Sequence, residues 1–510
     1  MNESRSKSAA KNAGMGFVYH FSETLLNFVS RTIFIYTLGS EYLGLNGIFS
    51  DVLSLLSMAD LGFSTAMSYS FYKPLADRDE EKLGSLIAFY KRIYNVIAAV
   101  ILVLGLCCVP FLKFIINTEK DIPHLELYYL FALTNTVVSY LFVYKTTLLT
   151  ADQKDYKVVK IRNRMQWIRA IARIIVLLIW KNYILYLAIG TVTVIANNLI
   201  ASRLAEKEYP FIRHIKGKIT KDDELQSRIV ENLKSVFIYK VSNKLFTATD
   251  NIIISKLIST AAVGIYSNYL MLSSKLLLFE QIVFSALTAG IGNVVAKDDH
   301  KKRHEVFEAM QSASFIFCGI ITTGFCLLAN DVLYVWLGES YQFSNLVVVA
   351  VTVNTYFSCV MLPLWIYRDA TGMYLKTKYL MLFGAIENIV LSIVLGRILG
   401  LAGIIFASAI ARLTSYFWYE PKLLFEEFFN EKPTGYYLGM LKHIVLVSVT
   451  TVVLGFLWKG FAVTGIGSLL VKIIVTGVAC SVIFFLAYYK TEGARTIERK
   501  IKESLHKIYK

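Results

Sequence analysis

The sequence predicts an all-α polytopic membrane protein with about fourteen transmembrane helices. Of the 510 residues, 55% are hydrophobic and only 18% are charged. Apolar stretches long enough to cross a bilayer also follow one another along most of the chain. A soluble protein of this length would instead separate several apolar cores with polar surface sequence. We therefore expect most of the chain to lie inside a membrane.

Fourteen segments have the length of a membrane span, and we number them in chain order as spans 1 to 14. The first apolar run, 17–38, is too long for the core of a cleavable signal peptide, so span 1 is expected to remain in the mature protein. The spans are predicted at 14–38, 45–73, 86–116, 125–149, 163–180, 183–204, 233–258, 262–295, 307–336, 343–367, 377–397, 401–419, 438–458 and 466–489.

Lysine and arginine are concentrated in alternate loops. The basic segments are the N-terminus, residues 151–164, 206–224 and 297–304, and the tail after Lys490. The intervening loops 39–44 and 337–344 contain neither residue type. The positive-inside rule therefore predicts that both termini are cytoplasmic, in agreement with an even number of spans. The net charge of +16 is explained by this topology and does not indicate nucleic-acid binding.

An internal repeat becomes visible when the sequence is shifted by 220 residues. Phe17 then falls on Phe237 and Gly44 falls on Gly264. The repeat predicts two pseudo-symmetric six-helix lobes, with an extra pair of helices at the C-terminus. The predicted divisions are an N-terminal lobe at 1–205, a basic linker at 206–228, a C-terminal lobe at 229–420, the extra pair at 421–490 and a basic amphipathic tail at 491–510.

The strongest matches between the repeats are polar. At about 100° per residue, six polar side chains of span 7 fall on a stripe about 120° wide. They are Lys240, Asn243, Lys244, Thr247, Asp250 and Asn251. The equivalent positions of span 1 are also polar: His20, Glu23, Thr24, Asn27, Ser30 and Arg31. Because ionisable groups are costly in lipid, the two stripes are expected to face each other or a shared aqueous space. An acid also recurs in the next helix of each repeat, as Asp60 and Glu280.

Residues 28–94 resemble the start of the bacterial polysaccharide transporters. These are lipid-linked oligosaccharide flippases of the multidrug/oligosaccharidyl-lipid/polysaccharide exporter superfamily. Most of the resemblance lies in "LGSEYLGLNGIFSDVLSLLSMADLGF" (38–63), with a fainter echo in "AAVGIYSNYL" (261–270). The resemblance implies two lobes that alternate between inward- and outward-open states. It also implies transport of an undecaprenyl-diphosphate-linked oligosaccharide to the outer leaflet of the bacterial cytoplasmic membrane. The expected partners are this lipid, membrane lipids and other polysaccharide-assembly proteins.

The polar stripes suit such a cargo, because cations can replace the hydration of a diphosphate and amides can meet a glycan. The candidate substrate-binding residues are His20, Asn27, Arg31, Lys240, Asn243, Lys244, Thr247 and Asn251. The candidate ion-coupling acids are Glu23, Asp60, Asp250, Glu280 and Glu387. Internal pairing, for example of Arg31 with Glu23 or of Lys244 with Asp250, is the open alternative. The six cysteines lack metal-binding spacing, and we predict neither a metal nor a cofactor.

Three other functions are compatible with a membrane protein of this size. A cation-coupled multidrug antiporter of the same fold should have an acidic cavity, whereas these stripes are net basic. A membrane polysaccharide polymerase or ligase should have a large outward loop with catalytic residues, whereas the predicted outward loops are short. A scaffold would not need matched polar stripes. We therefore predict a transporter and not an enzyme.

Overall fold

The structure is a computed structural model that describes residues 5–60, 63–118, 122–214, 237–296 and 300–496. Most of the predicted basic linker, from residue 215 onwards, lies outside the described residues. Most of the tail predicted at 491–510, from residue 497 onwards, also lies outside them.

Each of the fourteen predicted spans coincides with a helix or with a run of helical segments, and every regular element in the described ranges is helical. The all-α polytopic class is therefore confirmed. The helices of spans 1 to 7 are Arg5–Leu38, Ser40–Leu56 with Phe63–Asp77, Glu80–Cys108 with Leu112–Ile115, Leu125–Tyr140 with Val143–Ala151, Asp155–Ile179, Tyr183–Glu208, and 237–248 with Asp250–Leu257. Those of spans 8 to 14 are Thr260–Ala296, His300–Leu337, Asn345–Val360 with Leu362–Thr371, Tyr374–Leu399, Leu401–Thr414 with Tyr416–Leu424, Thr434–Leu457, and Ile466–Tyr488.

Local sequence explains where several helices begin and bend. Asp79 caps span 3, its Oδ1 accepting from the backbone N–H of Lys82 at 2.9 Å. Asn182 caps span 6 in the same way, its Oδ1 accepting from the N–H of Leu185 at 3.0 Å. Span 10 bends by 44° just before Pro363, which has no N–H to continue the helical hydrogen bonds.

Seven helices in the described part are long and apolar enough to cross a membrane by themselves. The number rises to nine if the bent pairs of spans 4 and 10 each count as one crossing. Large apolar side chains are exposed along several of these helices, including Val103 on span 3 and Leu486 on span 14. In water such a surface would be unfavourable, whereas acyl chains would cover it. The chain is a multi-pass membrane protein.

The contacts divide the chain into two compact units, Met1–Gly264 and Ile265–Lys510. In the first unit, span 1 packs on span 5, spans 4 and 5 pack on span 6, and the Asp250–Leu257 segment of span 7 packs on span 2. In the second unit, span 9 packs against spans 10, 13 and 14, and span 12 packs against spans 10 and 11. The assignment of two six-helix lobes by sequence repeat stays a prediction.

Within the first unit, the starts of spans 2 and 8 meet through two glycines related by the repeat. A methyl group on Gly44 would overlap the carbonyl oxygen of Thr260. One on Gly264 would overlap the carbonyl oxygen of Ser40. Ser40 and Thr260 are themselves 220 residues apart, so the contact is reciprocal and resembles that of a two-fold dimer. We call these four residues the glycine seam.

The extra pair of helices is attached to spans 9 and 10 by polar contacts. His443 of span 13 lies fully buried, with Nδ1 3.0 Å from the Tyr356 hydroxyl and Nε2 2.9 Å from the Phe315 carbonyl oxygen. Lys472 of span 14 forms a salt bridge of 2.5 Å with Asp331. These contacts fix spans 13 and 14 to the body of the second unit.

Candidate functional site

The polar stripe of span 7 meets an acid of span 2. Span 7 is interrupted at Thr249, and two residues later the Nδ2 of Asn251 donates to Oδ2 of Asp51 at 2.7 Å. Lys244, nearly two turns earlier, is close enough to Asp51 for their charges to interact. Gly47 lies one turn before Asp51, and a methyl group there would come within 3.7 Å of Asn251 Nδ2. These residues form the best-defined polar cluster on the predicted stripes, and we call Asp51, Lys244 and Asn251 the span 7 cluster.

Asp51 is the functional candidate that the sequence analysis missed. Its signal was present, because it is an ionisable residue inside an apolar span. Asp51 has no polar counterpart in the repeat, since a shift of 220 residues places it on Met271. Matching of polar positions between the repeats therefore does not identify Asp51.

The other residues of the span 7 stripe are less enclosed. Lys240 and Asp250 are half-buried, whereas Asn243 and Thr247 are exposed. The Thr247 hydroxyl donates to the Asn243 carbonyl oxygen at 3.0 Å, so it is partly satisfied by its own helix. Neither Lys240 nor Lys244 forms a salt bridge with any residue that the structure describes. Lys244 is within electrostatic reach of Asp51, and its internal pairing with Asp250 stays an open alternative.

The span 1 stripe has a different set of neighbours. Glu23 and Arg31 are half-buried and Asn27 is exposed, while the side chain of His20 lies outside the described part. Arg31 lies within electrostatic reach of the hydroxyl of Tyr186 on span 6. The described contacts thus join span 7 to span 2 and Arg31 to span 6. A shared aqueous space for the two stripes stays a prediction.

A second arginine contacts the same tyrosine. Arg173 of span 5 donates from Nε to the Tyr186 carbonyl oxygen at 3.0 Å and from Nη1 to the Tyr186 hydroxyl at 3.4 Å. Its guanidinium carbon lies 4.0 Å from the centre of the Tyr186 ring. Gly190, one turn after Tyr186, leaves the space into which Nη2 projects. The sequence analysis did not select Arg173, because it has no counterpart on the stripes.

The remaining candidate acids bond to hydroxyl groups. Glu280 is fully buried and accepts from Ser314 Oγ at 3.2 Å, and Glu387 accepts from Thr414 Oγ1 at 2.7 Å. Neither forms a salt bridge with a Lys or Arg in the described ranges. The side chain of Asp60 lies outside the described part.

Ser314 also indicates how Glu280 is hydrogen bonded. Its hydroxyl lies 3.2 Å from both the Glu280 carboxyl and the Cys359 carbonyl oxygen, yet it has only one proton to donate. The helical donor for the Cys359 carbonyl would be the N–H of Pro363, which does not exist. If Ser314 donates to Cys359, its oxygen is left to accept from a protonated Glu280. If Ser314 donates to Glu280 instead, the carboxyl group is ionised, so the hydrogen bonds fit both protonation states.

Comparison with known proteins identifies a family and a fold. The profile of a family described as "Polysaccharide biosynthesis protein" matches residues 9–289. No curated protein matches the chain. A structure of "Lipid II flippase MurJ, inward closed conformation" is 16% identical and aligns with a TM-score of 0.62, covering 93% of this chain and 98% of that one.

Two drug-transporter structures are also similar. An inward-facing "multidrug resistance MATE family transporter of the MOP superfamily" is 13% identical, with a TM-score of 0.58 over 78% of this chain and 93% of that one. A "MATE in complex with MaL6" is 14% identical, with a TM-score of 0.54 over 82% of this chain and 96% of that one. At these identities, the structures show a shared fold alone.

Proposed function

Because the chain belongs to the polysaccharide biosynthesis protein family, as residues 28–94 led us to expect, we propose that it is a lipid-linked oligosaccharide flippase. Its cargo would be an undecaprenyl-diphosphate-linked oligosaccharide. The protein would move the diphosphate and glycan from the inner to the outer leaflet of the bacterial cytoplasmic membrane by alternating access. Both termini would lie in the cytoplasm.

The observation that carries the proposal is the pair of lysines on span 7. Lys240 and Lys244 lie on a helix of the membrane part, and no described carboxylate forms a salt bridge with either. Ammonium groups without a salt bridge are costly in hydrocarbon, so they favour an aqueous path or an anionic ligand. A diphosphate is such an anionic ligand, and each lysine would contact it as a point charge with up to three hydrogen-bond donors.

Asp51 would position the residues of this site. Its hydrogen bond to Asn251 joins span 7 to span 2, and its charge draws Lys244 to the same position. Lys240 lies one turn before Lys244, so two lysines accompany the single acid of the cluster. The remaining positive charge favours an anion, while the exposed Asn243 and Thr247 are available to hydroxyl groups of a glycan.

The membrane potential would drive such a cargo outward. Two negative charges that cross the full potential gain about 4–5 kcal/mol per 100 mV when the cytoplasm is negative. A coupling ion would add to this. The candidate acids for that ion are Glu23, Asp60, Asp250, Glu280 and Glu387.

A cation-coupled multidrug antiporter is the second candidate, and the similarity to MATE structures favours it. The two functions need cavities of opposite charge, because a drug cation would be repelled by Lys240 and Lys244. No described feature favours the polymerase or ligase alternative.

The test is transport in proteoliposomes that contain a labelled undecaprenyl-diphosphate oligosaccharide. We expect the triple variant Arg31→Ala, Lys240→Ala, Lys244→Ala to lose most of its outward movement of the label. The matched control removes the same charge from exposed side chains of the first unit, as Lys160→Ala, Arg164→Ala, Lys207→Ala, and should keep wild-type transport. Unchanged transport in the first variant would eliminate the site, and export of a cationic dye by the wild type would support the antiporter.

A further inference from the structure

Arg173 is a fixed cation near the outer end of span 5. It lies six residues, or about 9 Å, before the end of the helix at Ile179. The loop after Ile179 is outward in the predicted topology. Two of the five guanidinium N–H groups are directed to Tyr186, and the stacking on its ring limits the rotation of the side chain. No described carboxylate lies within ion-pairing distance of Arg173, so its charge is balanced by none of the described residues.

Gly190 defines the position of this guanidinium group. A methyl group at residue 190 would overlap Nη2 of Arg173 and come within 3.0 Å of its guanidinium carbon. The absence of a side chain on Gly190 therefore lets the guanidinium lie against the backbone of span 6. Three N–H groups of Arg173 are not used by Tyr186 and can donate to a ligand.

Arg31 brings a second guanidinium to the same tyrosine. It lies seven residues, or about 10 Å, before the outer end of span 1 at Leu38, a depth similar to that of Arg173. Span 1 packs directly on span 5, and Arg31 is within electrostatic reach of the Tyr186 hydroxyl. Lys244, in contrast, lies thirteen residues, or about 20 Å, before the end of span 7 at Leu257. The cations of the first unit therefore occupy two depths.

We propose that Arg173 and Arg31, arranged around Tyr186, form a second anion-binding site near the outer end of the first unit, which takes a phosphate ester. The identification of the ligand as the diphosphate of the lipid carrier rests on the proposed function. Lys240 and Lys244 would contact the diphosphate deeper in the membrane, and the arginine pair would receive it on the outer side. Arginine suits this position, because its planar group can bind a phosphate with two hydrogen bonds.

Gly190→Ala tests the site without removing any charge. Alanine is favourable in a helix, and the atoms it displaces belong to the flexible end of Arg173, so the fold should persist while the guanidinium moves. The matched control is Gly84→Ala on span 3, where a methyl group would meet no atom within 4 Å. Arg173→Lys keeps the charge but lacks the planar group, and it provides a second variant.

The ligand probe is farnesyl diphosphate, added to the purified protein and measured by calorimetric titration. We expect Gly190→Ala and Arg173→Lys each to weaken binding about tenfold or more, the effect of losing a charge-assisted hydrogen-bond pair. Gly84→Ala should bind like the wild type. Competition by inorganic pyrophosphate or by phosphatidylglycerol micelles distinguishes the diphosphate from a phospholipid phosphate as the preferred ligand. Wild-type affinity in both Gly190→Ala and Arg173→Lys would overturn the proposal.

The same variants separate this inference from the proposed function. If Lys240→Ala, Lys244→Ala abolishes transport while Gly190→Ala and Arg173→Lys bind and transport normally, only the outer site is refuted. If the lysine variant transports normally but Gly190→Ala still weakens farnesyl diphosphate binding, the outer site stands and the proposed role of span 7 is refuted.

Discussion

At the scale of the residue, the informative contacts join positions far apart in the chain. Asn251 and Asp51 are 200 residues apart and form a hydrogen bond of 2.7 Å. Arg368 has an acid beside it in the sequence, Asp369, but its Nη1 also reaches the buried carboxylate of Glu420 at 3.0 Å, 52 residues away. A charge in a span is therefore interpreted correctly only when its partners are known.

The hydrogen bond between Asp51 and Asn251 should show as energetic coupling. We expect Asp51→Leu and Asn251→Leu each to lower the free energy of unfolding by about 1–3 kcal/mol, because each leaves a buried polar partner unsatisfied. The double variant should lower the free energy of unfolding by less than the sum of the two single variants, and the difference should be about 0.5–3 kcal/mol. Thermal unfolding of the purified variants measures these differences.

Asp51→Asn serves as the control, since it keeps an acceptor oxygen for Asn251 and removes only the charge. Its free energy of unfolding should be close to that of the wild type. Strict additivity in the double variant would mean that the bond contributes nothing to stability.

At the scale of the element, the glycine seam gives a physical role to the motif that carries the family resemblance. Gly44 lies within "YLGLNG" and Gly264 within "AAVGIYSNYL". Each lets its helix approach the backbone of the other, against Thr260 and Ser40 respectively. Small residues commonly allow such close approach between helices in a membrane, where burial of apolar surface provides little drive for association.

Gly44→Ala and Gly264→Ala should therefore destabilise the protein by similar amounts. The new methyl group meets a backbone carbonyl, which cannot rotate away as a side chain does, and overpacking of this kind typically costs about 1–3 kcal/mol. Gly84→Ala, in open space, should be neutral or slightly stabilising. Melting temperatures of the three variants in one detergent give the comparison. A marked inequality between Gly44→Ala and Gly264→Ala would contradict the reciprocal contact.

At the scale of the whole molecule, the distribution of charge predicts the orientation in the membrane. Loops rich in lysine and arginine alternate with loops that carry few or none of them. The exposed residues Glu81 and Ser340 lie in loops predicted on opposite sides, and both are accessible to a reagent. They therefore report the topology directly.

In a variant without the six native cysteines, we expect Ser340→Cys to react with a membrane-impermeant maleimide on intact cells. Glu81→Cys should react only after the membrane is opened, because its loop is predicted to be cytoplasmic. Equal labelling of both positions on intact cells would refute the predicted orientation.

The sequence alone predicted the elements well, since apolar length is a local property. Each predicted span is helical in the structure, and the polar stripes of spans 1 and 7 follow from helical periodicity. The same reasoning selected Lys244 and Asn251 but not Asp51 or Arg173, neither of which has a polar counterpart in the repeat. Composition and periodicity determine which face of a helix is polar.

The tertiary structure decided which faces meet. Asp51 with Asn251 and Gly44 with Thr260 depend on the register and crossing of helices distant in the chain, and Arg173 against Gly190 depends on the packing of the consecutive spans 5 and 6. Many spans expose large apolar side chains, so hydrophobicity does not choose between one neighbour and another. Close backbone contacts and individual hydrogen bonds make that choice, and they exist only once the helices are packed.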